Sequence, residues 1–73
     1  MYSHYQLTTE SVYEQNKVTQ ALNFFKETGI HAEAVKTGQY YSRYKLSSEA
    51  LIGTEKITAG ARIFQQAEYT GQD

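Results

Sequence analysis

The residues with the clearest chemical potential lie in one run of alternating rings and cations. This run is Tyr40-Tyr41-Ser42-Arg43-Tyr44-Lys45, and its β-favouring rings predict a strand. Alternate side chains of a strand share a face, so Tyr41, Arg43 and Lys45 are expected on one side. Rings interleaved with cations suit base stacking beside phosphate contacts. Tyr and Arg also dominate the contact energy of protein–protein interfaces, and a solvated face with edge-protecting Lys and Arg is a third interpretation.

The charge of this region favours a binding surface. Between Ala34 and Ser48 the chain has three cations and no carboxylate, which gives this segment a charge of +3. Because the net charge of the chain is −1, the rest of the chain has a charge of −4. Each phosphate contact contributes a log–log salt slope of only about −0.9, so three cations give modest attraction to nucleic acid. We therefore expect a protein as the partner, with nucleic acid or a nucleotide as the alternative. The candidate partner-binding residues are Lys36, Tyr40, Tyr41, Arg43, Tyr44 and Lys45.

His31-Ala32-Glu33 is the one fragment that looks like a catalytic motif, because zinc deaminases carry a His-x-Glu sequence. Those enzymes also need a Pro-Cys-x-x-Cys segment for the metal, and this chain contains neither Cys nor Pro. His4 and His31 lack a ligand spacing for zinc, and no serine stands in a nucleophile-elbow sequence. We expect no enzyme, no metal site and no cofactor.

Length and composition predict a single domain over residues 1–73. With 40% apolar and 21% charged residues, the composition is that of a globular protein. A net charge of −1 gives no general attraction to nucleic acid or anionic membrane. No apolar run approaches the ~20 residues of a membrane span, and the first residues lack the pattern of a signal peptide. These features predict a soluble, cytoplasmic module.

Two helices should support the strands. Ser11 to Thr28 has apolar residues at helical spacing, a capping-box pattern at its start and Gly29 as a natural C-cap. A second helix is expected from Glu55 to about Tyr69, with Gly60 allowing a close approach of this helix to the sheet. Thr70 to Asp73 are expected to fray.

The predicted strands form a hairpin. Ile30–Lys36 and Gln39–Leu46 alternate on either side of Gly38, and Tyr2–Leu7 is compatible with a short N-terminal strand. Since a two-stranded hairpin is marginal in water, either the N-terminal strand or another copy of the chain must complete the sheet. We expect an α+β fold with a small antiparallel sheet and two helices packed on one face. Completion by another copy would make the protein a homo-oligomer.

Residues 18–67 contain a series of short motifs in a fixed order. They are Phe24-Phe25 before Gly29, then Gly38, Tyr41-Ser42-Arg43-Tyr44-Lys45-Leu46, Lys56-Ile57-Thr58 and Ala61-Arg62-Ile63. This stretch resembles the small α-subdomain of FtsK/SpoIIIE-type DNA translocases, which has a helix ending in a Phe-Gly-like signal, a strand, a Gly turn, a second strand and a Lys-Ile-Thr-like helix start. The chain departs from the family at Gln39, where Pro is usual, and at Arg62, where Asp is common.

The resemblance implies a non-catalytic piece of a ring-forming machine. No Gly-x-x-x-x-Gly-Lys-Ser/Thr loop is present to hold phosphates, so the chain has no motor of its own. Such a subdomain works through contact with protein. A compact chain rich in Tyr also resembles small phage- or mobile-element-encoded products that occupy a surface on a larger bacterial machine. We therefore expect an inhibitor or modulator that binds protein.

Overall fold

The computed structural model describes residues 2–11 and 15–72. Along the chain the strands and helices follow the order β-α-β-β-α-β. In chain order the elements are β1 (Ser3–Glu10), α1 (Gln15–Glu27), β2 (His31–Thr37), β3 (Tyr41–Ser48), α2 (Thr54–Ala61) and β4 (Ala67–Gln72).

The four strands form one antiparallel sheet in the order β2-β3-β1-β4. Each helix therefore links two strands that have a third strand between them. This is the split βαβ, or ferredoxin-like, arrangement, and it confirms the expected α+β class. The N-terminal strand β1 completes the sheet by pairing with β3 of the hairpin, which is one of the two alternatives expected. It lies between β3 and β4.

Both helices cover the same face of the sheet, and the core lies between the two layers. Along β1 the burial alternates, with Tyr5 and Leu7 buried and the residues between them exposed. Period-two burial is what a half-covered antiparallel sheet requires. We call the uncovered side the open face. The buried hydrophobic residues are Tyr5, Leu7, Ala21, Phe25, Ile30, Tyr44, Leu46, Ile52, Ile57 and Phe64.

The end of α1 matches its prediction closely. Gly29 has a φ of 86°, and its N–H donates to the carbonyl of Lys26 at 3.1 Å. The N–H of Ile30 donates to the carbonyl of Phe25 at 2.8 Å. These two bonds define a Schellman motif, which turns the chain directly into β2.

Ser11, the predicted start of α1, is bound to the hairpin turn. Ser11 precedes the helix, and its hydroxyl donates to the carbonyl of Gly38 at 2.6 Å. Its N–H donates to the carbonyl of Tyr40 at 3.2 Å. Ser11 therefore fastens the end of β1 to the hairpin turn. The predicted capping-box contact with Glu14 lies outside the described residues.

The predicted long second helix is wrong in its C-terminal half. Helix α2 ends at Ala61, and residues 67–72 form a strand with Ala67 opposite Thr9 and Tyr69 opposite Leu7. The helical spacing does continue to Phe64, which is buried in the connecting turn. Beyond it, pairing with the otherwise unpaired edge of β1 overrides helix propensity. The predicted fraying from Thr70 onwards is also wrong for residues 70–72.

Gly60 allows a close approach of α2 to helix α1, and not to the sheet as expected. A Cβ atom at this position would lie 2.2 Å from the ring of Phe25, so only glycine lets α2 pack this near to α1. Phe25 is itself 1% exposed. The adjacent Phe24 is half-buried, with its ring edge-on to that of Phe25 at 5.6 Å between centroids.

Four strands from one chain remove the reason given for a second copy. The expected homo-oligomer rested on a sheet left with only two strands. Since β1 and β4 supply the missing strands, the sheet is complete without another molecule. Its two outer edges, on β2 and β4, are the places where further strands could add.

Candidate partner-binding surface

Strand β3 presents the predicted residues on the open face. Tyr41, Arg43 and Lys45 are exposed, whereas the residues between them are buried. The register places Arg43 opposite Thr8 of β1 and Lys45 opposite Gln6. The cations therefore lie on the middle of the sheet and not at its rim.

Lys36 reaches the open face through a β-bulge. Regular alternation from Ala32 and Ala34 would turn Lys36 towards the helices. The register between β2 and β3 shifts between Ala34 and Lys36, which leaves Val35 as the extra residue. As a result, Lys36 pairs with Arg43 and joins the same surface, as bulges commonly re-aim side chains.

Two cations hold the ring of Tyr41. The Lys36 ammonium donates to the Tyr41 hydroxyl at 3.3 Å and lies 5.4 Å from the ring centroid. The Arg43 guanidinium carbon lies 5.9 Å from the same centroid, within the range of a cation–π contact. We call Lys36, Tyr41, Arg43 and Lys45 the cationic patch.

The same contacts change the acidity of Tyr41. The hydrogen bond from Lys36 and the positive charge of that ammonium lower the pKa of the phenol below its ordinary value of 10.0, and Arg43 adds to the effect. The cationic patch is therefore an interacting group and not a set of independent side chains.

Neighbouring strands bring three carboxylates onto the open face beside these cations. Glu33 of β2 lies opposite Lys45, and Glu10 of β1 lies opposite Tyr41. Glu68 of β4 lies opposite Thr8, which is one strand away from Arg43. The three cations of the patch thus share their face with three carboxylates. Charge counted along the hairpin does not predict this balance, because Glu68 joins the open face only through the pairing of β4 with β1.

Glu10 has a structural role at one end of this face. Its carboxylate accepts hydrogen bonds from the backbone N–H groups of Gln65 and Gln66, at 2.8 and 3.2 Å. These bonds fix the turn into β4. The carboxylate also forms part of an open cleft of about 600 Å³ that Tyr40, Tyr41 and Glu68 help to line.

The two remaining candidate tyrosines occupy different environments. Tyr40 belongs to the hairpin turn and is 79% exposed, so it is accessible beside the cationic patch. Tyr44 is 3% exposed and packs against the ring of Phe64, with 5.6 Å between centroids. Burial raises the pKa of the Tyr44 phenol above 10.0. The placement of Tyr44 among the contact residues is therefore corrected, because its side chain faces the helices.

The histidines lie at the other end of the open face. The rings of Tyr2 and His4 are stacked, with 5.6 Å between centroids and 16° between planes. Ser47 of β3 lies between His4 of β1 and His31 of β2, each of which pairs with it. Over residues 2–11 and 15–72, no group of three or more His, Cys, Asp or Glu side chains is placed to hold a metal ion.

A separate cleft, away from the open face, lies between the helices. Phe24, Ala59 and Ile63 line an open cleft of about 400 Å³, together with polar side chains of α1. The structure packs Phe24 against the core cluster and leaves part of it in this cleft.

No protein-family model and no curated protein matches the chain. The described helices have 13 and 8 residues. Within the described part of the chain, neither is long and apolar enough to cross a membrane.

Proposed function

We propose that this protein is a cytoplasmic, non-catalytic module that binds another protein through its open face. The observation that carries the proposal is the exposed cationic patch on β3 and the neighbouring β2. Tyr and Arg are the residue types that contribute most to protein–protein binding, and they do so near the centre of an interface. Within the described residues, Arg43 contacts a ring and no carboxylate, so its hydrogen-bond donors remain available to a partner.

The contacts within the patch support this role. Tyr41 is held by Lys36 and Arg43, and the strands beneath it are the two central strands of the sheet. Ordering flexible side chains costs about 0.5–1.5 kcal/mol for each one immobilised on binding. Side chains that are already held by their neighbours lose less freedom, so a larger part of the contact energy becomes affinity.

The charges on the open face indicate the chemistry of the partner. Arg43 and Lys45 can receive carboxylates, whereas Glu33 and Glu68 at the sides require cations. A partner surface with acidic residues at its centre and basic residues around them is complementary to this arrangement. The resemblance of residues 18–67 to the FtsK/SpoIIIE subdomain stays a prediction, and it favours a ring-forming bacterial machine that this module inhibits or modulates.

Single-stranded nucleic acid is the alternative ligand for the same face. RNA-recognition domains stack bases on aromatic side chains of a four-stranded sheet, and here Tyr41 lies on such a sheet beside three cations. Two features favour protein instead. The Tyr41 ring is already in contact with Lys36 and Arg43, and three carboxylates on the face repel phosphates.

The test is capture by a double variant of the patch. We expect Tyr41→Ala with Arg43→Glu to lose the captured protein while the domain stays folded, because both side chains point away from the core. The matched control is Leu51→Ala with Lys56→Glu, which changes the same kinds of group at exposed positions outside the open face. Capture that is equal for the two double variants would reject the open face as the contact surface.

A salt titration distinguishes the alternative. Binding of single-stranded oligonucleotides should be weak and should fall steeply as salt rises, since phosphate contacts release counterions. Tight oligonucleotide binding that is lost in Tyr41→Ala with Arg43→Glu would replace protein by nucleic acid as the ligand of the open face.

A further inference from the structure

The two outer edges of the sheet differ in how they are protected. On β2 the bulge at Val35 interrupts regular pairing, and Lys36 lies beside it. Bulges and lysines are devices that stop a further strand from adding to an edge. On β4 all six residues pair with β1 at a constant register, with no bulge, and Glu68 is the single charged residue among them. Strand β4 is thus the edge open to pairing.

The backbone of β4 offers alternate donors and acceptors to solvent. The N–H of Glu10 donates to the carbonyl of Gln66 at 3.1 Å, so residue 66 directs its backbone towards β1. Backbone groups alternate along an antiparallel strand. Residues 68, 70 and 72 therefore also point to β1, whereas Ala67, Tyr69 and Gly71 direct their N–H and C=O groups outwards.

We propose that two copies of this chain associate by antiparallel pairing of their β4 strands. In the register centred on Tyr69, the outward residues meet one another, Tyr69 opposite Tyr69 and Ala67 opposite Gly71 of the second copy. On the open face Glu68 lies opposite Thr70 of the second copy, so no like charges meet. Directly opposed aromatic side chains stabilise antiparallel pairs. Strand β4 is in this sense complementary to itself, which favours a second copy over an unrelated strand.

The position of Tyr69 makes this pairing specific. Its ring meets that of Tyr5 edge-on, with 6.0 Å between centroids, and its hydroxyl lies 3.4 Å from that of Thr58. Beside it, Ala61 and Phe64 help to line an open cleft of about 270 Å³. Added strands gain affinity from main-chain bonds and specificity from pockets for alternate side chains. The cleft can receive the Tyr69 ring of the second copy.

Sedimentation from low micromolar to near-millimolar concentration tests this interface. Wild type should change from 8.3 kDa to twice that mass. Ala67→Pro should stay at 8.3 kDa, because Pro removes an outward N–H, which an edge strand tolerates. The matched control Val35→Lys, on the other edge, should dimerise like wild type. A wild-type chain that stays monomeric throughout, or a dimer lost in Val35→Lys and retained in Ala67→Pro, would overturn the proposal.

If Ala67→Pro fails to fold, hydrogen exchange on the wild-type chain tests the pairing of the two β4 strands. The amides of residues 67, 69 and 71 should exchange about tenfold more slowly at concentrations where most chains are dimeric. Those of residues 68 and 70, already bonded to β1, should change little. Concentration-dependent protection of residues 31–37 in place of β4 would contradict the proposal. This interface does not depend on the role of the open face, so either proposal can fail alone.

Discussion

At the scale of single residues, the phenol of Tyr41 reports on the cationic patch. Replacing Lys36 by Met removes both the hydrogen bond and the nearest charge, so the pKa of Tyr41 should rise towards 10.0. The titration of the Tyr41 ring carbon in a ¹³C-tyrosine-labelled sample measures it. Lys17→Met on α1 is the control and should leave the titration as it is. Identical Tyr41 curves in wild type and Lys36→Met would mean that the two side chains do not interact in solution.

Gly60 is the residue whose size decides the distance between the helices. Gly60→Ala would place a methyl group 2.2 Å from the buried Phe25 ring, and overpacking of this kind costs about 1–3 kcal/mol. The gain of about 1 kcal/mol in helix propensity offsets part of this. We expect a net loss of up to about 2 kcal/mol in the free energy of unfolding, measured by urea denaturation.

A double-mutant cycle tests the cause of that loss. Phe25→Leu shortens the ring that the new methyl group meets, so the two substitutions together should destabilise less than the sum of their separate effects. Simple additivity would show that Gly60 and Phe25 are not in contact.

At the scale of elements, the bulge in β2 protects an edge. Deleting Val35 should keep Lys36 opposite Arg43, because the register on either side of the bulge becomes continuous. The lowered pKa of Tyr41 should therefore persist, while the regular edge of β2 gains a tendency to self-associate. Sedimentation of the deletion against a Val35→Thr control measures that tendency. A deletion variant no more associated than the control would show that the bulge has no protective role.

Strand β4 completes the sheet, so its removal should be severe. A chain ending at Gln66 loses every pairing partner on one side of β1 and uncovers Tyr5 and Leu7. We expect it to lose cooperative thermal unfolding by circular dichroism, whereas a chain ending at Gln72 should melt like wild type. Cooperative melting of the shorter chain would indicate that three strands are sufficient.

The sequence predicts elements where local chemistry decides them. The alternation of β3 and the C-cap at Gly29 are both local, and both are found in the structure. The end of α2 depends on a contact distant in sequence, because residues 67–72 form a strand only when β1 is there to pair with them. The same holds for the carboxylates near the cationic patch. Glu68 comes near Arg43 through two strand pairings, which no spacing along the chain predicts.

The bulge shows a second limit of sequence analysis. Val35 is β-branched and suits a regular strand, so nothing in Ile30–Lys36 signals an extra residue. Its effect is nevertheless decisive for the site, since it turns Lys36 from the helix side to Tyr41. Charge alone predicts that Lys36 belongs to the contact surface. The bulge is what places Lys36 on the open face.

At the scale of the whole molecule, alkaline stability depends on the tyrosine in the core. The folded pKa of Tyr44 is raised above 10.0 by burial, so the unfolded chain loses this proton first as pH rises. The stability that Tyr44 contributes is therefore complete below pH 10.0 and is lost above it. Tyr44→Phe should cost about 1 kcal/mol at neutral pH, and this difference should shrink above pH 10.0.

Urea denaturation at neutral pH and above pH 10.0 measures this change. Tyr40→Phe is the matched control, since it removes a phenol that is 79% exposed. A constant difference between wild type and Tyr44→Phe across this range would contradict the burial of the Tyr44 phenol.

The arrangement of the strands also constrains how the protein is made. His4, near the beginning of the chain, pairs with Gln72, near its end. During synthesis on the ribosome, β1 must therefore remain without its last neighbour until β4 has left the exit tunnel. The early hairpin can form first, but the finished sheet closes only after translation has passed β4, and until then one side of β1 is exposed to chaperones and to other nascent chains.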